Sequence, residues 1–131
     1  MQHPVLETAP ILADHMSDPV PTELRLRTRS RVLAVRFADG AAFELPFEYL
    51  RVYSPSAEVK GHGPGQEVLV LGKAAVGVKA IEPVGQYAVR LVFDDGHDTG
   101  LYTWGYLHEL GRDYARKWAD YQARVRTARG A

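Results

Sequence analysis

One pattern in this chain occurs twice, and it limits the possible folds more than any other feature of the sequence. The first copy reads Val35-Arg36-Phe37-Ala38-Asp39-Gly40, followed by Leu45 and then Tyr49-Leu50. The second reads Leu91-Val92-Phe93-Asp94-Asp95-Gly96, followed by Leu101 and then Tyr106-Leu107. From Phe37 and Phe93 to Leu45 and Leu101 the copies align without a gap, and the second has one extra residue before its Tyr-Leu pair. In each copy an apolar strand meets an acidic-Gly turn, a second strand follows, and a helix begins. Two such units are expected to close one shared core. The fold class expected is α+β, a mostly antiparallel sheet from two similar hairpin-helix units with one long C-terminal helix packed on it.

The flanking sequence sets the boundaries. Residues 1–21 mix Pro4, Pro10, Pro19 and Pro21 with small and polar residues, and read as a flexible N-terminal tail with a brief helical turn around 11–16. Residues 22–131 read as a single domain, because a 131-residue chain buries about two-thirds of its unfolded surface, enough for one core. From Glu23, Leu24, Leu26 and Thr28 alternate with Arg25, Arg27 and Arg29, the period of a half-buried strand. Strands are also expected at 32–37 and 41–45, and Pro46 then suits the first turn of a short helix, 47–52. Residues 53–67 hold Pro55, Gly61, Gly63, Pro64 and Gly65 and read as an irregular, functional loop. Short strands follow at 68–71, 76–83, 87–93 and 99–102. From Trp104 to about Arg126 one apolar stripe of Leu107, Leu110, Tyr114, Trp118, Tyr121 and Val125 has helical spacing, with Thr103 as its N-cap.

Composition excludes several classes. Net charge is zero and the pI is about 7.0, so no global field draws the chain to nucleic acid or anionic lipid. Charge is nevertheless uneven: residues 99–131 carry three acids and six bases. There is no cysteine, hence no disulfide or thiolate metal site, which leans toward a reducing cytoplasm. No basic segment leads into a long apolar run near the N-terminus, and no apolar run is long enough to span a bilayer.

Several motifs are set aside on their spacing. Gly72-Lys73 resembles a phosphate loop, but that motif needs Gly where Glu67 stands and Ser or Thr where Ala74 stands. No His has Asp or Glu two residues later, so the iron facial triad has no starting point, and no Ser lies in a nucleophile elbow. The series Arg25, Arg27, Arg29 and Arg31 fits a solvated strand that resists edge pairing better than a phosphate stripe. What remains is His62, His97, Asp98 and Glu58, imidazole and carboxylate donors suited to iron or zinc. The alternative is that His97 and Asp98 cap their own turn and staple loop amides. Tyr53, Arg51, Tyr102 and Trp104 flank the same two loops and are the expected partner surface, although at their strand-to-helix corner Tyr102 and Trp104 fit a buried place better than an exposed anchor.

Leu50-Arg51-Val52-Tyr53-Ser54-Pro55-Ser56-Ala57-Glu58-Val59, then Ile81-Glu82-Pro83-Val84-Gly85, then Asp95-Gly96-His97-Asp98-Thr99-Gly100-Leu101-Tyr102-Thr103-Trp104 carry a resemblance. They are similar to the small bacterial domain family named for the amino-terminal domain of gamma-butyrobetaine hydroxylase, over roughly residues 21–118. In the hydroxylases that domain precedes an oxygenase domain and is similar to a zinc-bound module with three cysteines and one histidine. The resemblance places those ligands on Ser54, Ser56, Val59 and His97, so this chain departs from the zinc pattern at three of four positions. The oxygenase domain has no counterpart in this sequence. Related domains accompany Mrp-type P-loop ATPases implicated in iron–sulfur cluster transfer. The expectation is therefore a stand-alone, non-catalytic, cytoplasmic interaction module with no resident cofactor. Its partner would be another protein, an Mrp-type P-loop ATPase or an oxygenase. The alternative is an iron- or zinc-binding protein or metal-dependent enzyme using His62, His97 and a carboxylate. A weaker third is nucleic-acid binding through the arginine strand and the basic end of the last helix.

Overall fold

A computed structural model describes residues 19–61 and 68–130. Strands β1 (Pro21–Arg27), β2 (Val32–Phe37) and β3 (Ala42–Pro46) form an antiparallel sheet in the order β1-β2-β3, followed by helices α1 (Phe47–Val52) and α2 (Ala57–Lys60). Strands β4 (Val78–Val84), β5 (Ala88–Phe93) and β6 (Leu101–Thr103) form a second antiparallel sheet in the order β4-β5-β6, followed by α3 (Trp104–Arg112) and α4 (Tyr114–Gly130). The fold is α+β as expected. The single sheet resolves into two, and each repeated unit is three strands and a helix rather than a hairpin and a helix.

The two turns are built alike. The Phe37 amide donates to Ala41 O and the Gly40 amide to Phe37 O, at 2.8 and 3.0 Å. The Phe93 amide likewise donates to His97 O and the Gly96 amide to Phe93 O, at 3.0 and 3.3 Å. Asp39 Oδ1 accepts the Ala41 amide at 2.9 Å, and Asp95 Oδ1 accepts the His97 amide at 3.1 Å. Gly40 and Gly96 sit at φ 94° and 91°, which a side chain would resist. His97 thus occupies in the second unit the place of Ala41 in the first.

Both sheets supply one core. Leu33, Val35 and Phe37 of β2 alternate inward, as do Val89, Leu91 and Phe93 of β5, and with Leu45, Tyr49, Leu50, Tyr102, Leu107 and Leu110 they form one buried cluster. The repeated tyrosines tie the halves together. Tyr49 in α1 donates its hydroxyl to Leu110 O at 2.7 Å, and Tyr106 in α3 donates to Tyr53 O at 2.6 Å. Each hydroxyl therefore reaches the carbonyl four residues beyond the other tyrosine, a twofold exchange between the units. Converting both to phenylalanine leaves two carbonyls without these donors and should cost about 1–3 kcal/mol per site. Denaturant unfolding of the single and double variants checks this; losses within error of zero would show that the exchange contributes nothing.

Three local expectations need correction. Residues 68–71 form no strand: Tyr121 donates its hydroxyl to Val70 O at 2.6 Å, while Val68 and Leu71 stay 50% and 45% exposed. The Val68 amide bonds Val59 O on α2 at 2.8 Å instead of a strand. The stretch 53–67 holds α2, whose Val59 is buried. The long helix is interrupted at Asp113, whose backbone turns to φ −103°, ψ 18° while its carboxylate takes Arg112 and Arg116. Leu107 and Leu110 pack into the core, and beyond Asp113 the stripe continues over α1, with Tyr49 edge-on to Tyr114 and Trp118 at 4.8 and 6.0 Å.

Candidate functional site

Chain reversal after α1 and the turn after β5 bring two loops together. Ser54, Ser56 and His97 are the buried polar residues among those described. Ser54 Oγ lies 2.8 Å from His97 Nε2 and Ser56 Oγ lies 3.3 Å from it. Ser54 Oγ also accepts the Ser56 amide at 3.4 Å. Ser54 also meets the Tyr102 hydroxyl, and Nδ1, the other ring nitrogen of His97, lies 3.8 Å from Glu58 Oε1. Burial, and then the Arg51 guanidinium, push the imidazole's pKa down, so His97 is neutral at pH 7. Glu58 is held by Thr99, whose hydroxyl donates to it. At Gly100 any Cβ would run into Ser54 Oγ, so glycine is needed there for close approach.

A second cluster supports the first. Asp95 Oδ2 receives Arg51 Nε at 2.8 Å and Lys73 Nζ at 2.7 Å. Burial opposes the charged carboxylate, but Lys73, the His97 amide and Arg51 outweigh it and hold Asp95 well below the usual carboxylate range. The Arg51 side chain is only 11% exposed, its guanidinium lies 6.0 Å from the Phe93 ring centre, and its Nη1 is buried without a hydrogen-bond partner among the described residues.

The geometry rearranges the expected site. His97 and Glu58 come together, whereas Asp98 turns to Arg90 at 3.9 Å. His62 lies outside the described residues. Among the described residues no three His, Cys, Asp or Glu side chains gather as metal donors. Ser54, Ser56 and His97, three of the four places the zinc resemblance marks, do converge, and Val59 is buried on α2. Two neutral hydroxyls, one imidazole and an aliphatic side chain are not a zinc donor set, so these residues do not fit the metal. Nor is Ser54 a nucleophile: it pairs with a base, but at 1% exposure no substrate reaches it.

Two members of the expected partner surface are misplaced. Tyr102 is fully buried and donates its hydroxyl to Leu50 O at 2.6 Å, because β6 points it into the core. Arg51 is enclosed by its carboxylate. Tyr53 is half-buried with its hydroxyl on Lys117 O, and Trp104 is half-buried with Nε1 donating to Gln86 O. Lys73 and Asp95 gave no signal as a pair, since they lie in different loops. Beside the closed polar centre lies a shallow hollow lined by Pro55, Lys60, Leu101, Thr103, Tyr106 and Glu109, with Leu101 41% exposed.

A family model described as "Gamma-butyrobetaine hydroxylase-like, N-terminal" matches residues 24–108. Two solved structures, both described as an NMR solution structure of the protein, are similar. One is 51% identical with a TM-score of 0.76, covering 88% of this chain and 86% of its own. The other is 47% identical with a TM-score of 0.74, covering 86% and 88%. A crystal structure from Acidithiobacillus ferrooxidans ATCC 23270, described as a protein with unknown function of the DUF971 family, is 45% identical with a TM-score of 0.58, covering 70% and 91%. No curated protein matches.

Proposed function

Since the chain belongs to the gamma-butyrobetaine hydroxylase-like N-terminal family, we propose that it is a non-catalytic accessory module that docks on another protein. The observation that carries this reading is the closure of its polar centre. Ser54 and His97 are buried and spent on each other, so neither a nucleophile nor a base faces solvent there. Next to that centre the hollow around Leu101 offers an apolar side chain ringed by Lys60, Thr103 and Glu109, the mix of apolar centre and polar rim found in protein interfaces. From the family resemblance, the partner is an Mrp-type P-loop ATPase or an oxygenase, met in the cytoplasm. No described helix is long and apolar enough to cross a membrane.

Binding to a purified Mrp-type P-loop ATPase and to a gamma-butyrobetaine-hydroxylase-type oxygenase tests this directly. Leu101→Asp should weaken the interaction at least about tenfold while leaving the melting temperature unchanged, because Leu101 is exposed. Unchanged binding by the variant, or no binding of either partner at about 100 μM, would overturn the reading.

A further inference from the structure

A second groove, of about 390 Å³, runs between α4 and residues 72–74. Trp118, Tyr121 and Val125 line it with Arg126 and Arg129 on the helix side and Lys73 opposite. Its walls are fixed in advance, since Tyr121 bonds Val70 O at 2.6 Å and Lys73 bonds Asp95 at 2.7 Å. Arg126 and Arg129, one helical turn apart, have no ion-pair or hydrogen-bond partner among the described residues. Lys73 shares its charge with Asp95, and Glu48 is the single acid among the lining residues, against two arginines. The groove therefore presents an excess of positive charge beside an apolar surface.

That combination selects among anions. A nucleobase would need an open aromatic face, but the Trp118 ring stacks with Tyr114 at 6.3 Å and 10° and with Tyr121 at 5.2 Å and 21°. An aliphatic side chain needs only the ring edges and Val125. We propose that this groove docks an acidic segment of a partner protein. An apolar side chain seats against Trp118 and Val125, and the flanking carboxylates meet Arg126 and Arg129. The site is separate from the Leu101 hollow and stands whether or not that hollow binds anything.

The probe is a fluorescein-labelled peptide of alternating glutamate and leucine, read by anisotropy on the full chain, with a lysine-leucine peptide as control. The acidic peptide should bind saturably and more weakly as salt rises. Arg126→Glu with Arg129→Glu should weaken it at least about tenfold, and Val125→Asp should weaken it too. Both variants should melt like wild type, since they lie on the outer end of α4, and Leu101→Asp should bind the peptide normally. No saturable binding at about 1 mM, equal binding of the lysine-leucine peptide, or full binding by the arginine variant would overturn the proposal. Tighter binding of single-stranded RNA would overturn it as well. So would tighter binding of a synthetic copy of residues 1–18, which carries Glu7, Asp14 and Asp18 and no Lys or Arg and would make the occupant the chain itself.

Discussion

Replacing Asp95 by Ala is expected to remove roughly 3–5 kcal/mol of stability, because it strips a buried cation of its only carboxylate among the described residues. Arg51 is 11% exposed and already has one nitrogen unpaired among the described residues, so losing Asp95 leaves its charge without a described carboxylate in a dry setting. Lys73, at 24% exposure, loses its partner as well. The repeat supplies an internal control. Asp39 makes the same turn bond, but among the described residues its carboxylate otherwise meets only His108, at 3.0 Å, and its side chain is 44% exposed. Asp39→Ala should therefore cost far less than Asp95→Ala. The pH dependence follows from the depressed pKa of Asp95. Its contribution is fully present above the unfolded carboxylate value of about 3.9 and is lost as pH falls below it. Wild type should lose stability below about pH 4 more steeply than the Asp95 variant does. Denaturant melts of both variants across pH measure this, and equal costs at Asp95 and Asp39 would refute the buried-cation argument.

Phe93→Ala should cost about 3–5 kcal/mol. The ring is 1% exposed, and it separates the apolar core from the polar centre, 6.0 Å from the Arg51 guanidinium and 6.1 Å from the His97 ring. Removing it opens a cavity that Arg51 cannot fill without dragging charge inward. Phe37, its counterpart in the first unit, is 2% exposed and packs against Phe43 and His108 at 6.0 and 4.9 Å, so Phe37→Ala should cost a similar amount. Trp118→Ala should cost less, about 2 kcal/mol, because Trp118 is only partly buried. Calorimetric melting of the three variants gives the order, and a Trp118 loss exceeding that at Phe93 would contradict this picture of the core.

The helical stripe in the sequence gives Trp118 the weight of a core residue, since spacing reports which face a side chain takes and not how deeply it sits. The repeat was legible because its signals are local: Phe37 and Phe93 begin identical turns, and Tyr49 and Tyr106 begin equivalent helices. The partners of those tyrosines were not legible, because Leu110 O and Tyr53 O are backbone atoms more than 50 residues away. The same holds for the site. Ser54 and His97 are 43 positions apart and meet by no spacing rule; the repeat puts their two loops at one end of the sheet, and the family resemblance singles out these residues within them. Lys73 and Asp95 lacked even that. At its strand-to-helix corner Tyr102 fits a buried place better than an exposed anchor, and the three residues of β6 point it inward, which removes it from the partner surface.

The state of the His97 ring tests most directly whether the centre of this domain is closed on itself. Nitrogen-15 NMR of the imidazole, followed through a pH titration with and without added zinc, reports tautomer, protonation and metal binding together. A ring that stays neutral at pH 7, with a pKa below the ordinary 6.5 and no response to zinc, is the predicted result. A ring that titrates above 6.5, or that takes up stoichiometric zinc at Nε2, would contradict it.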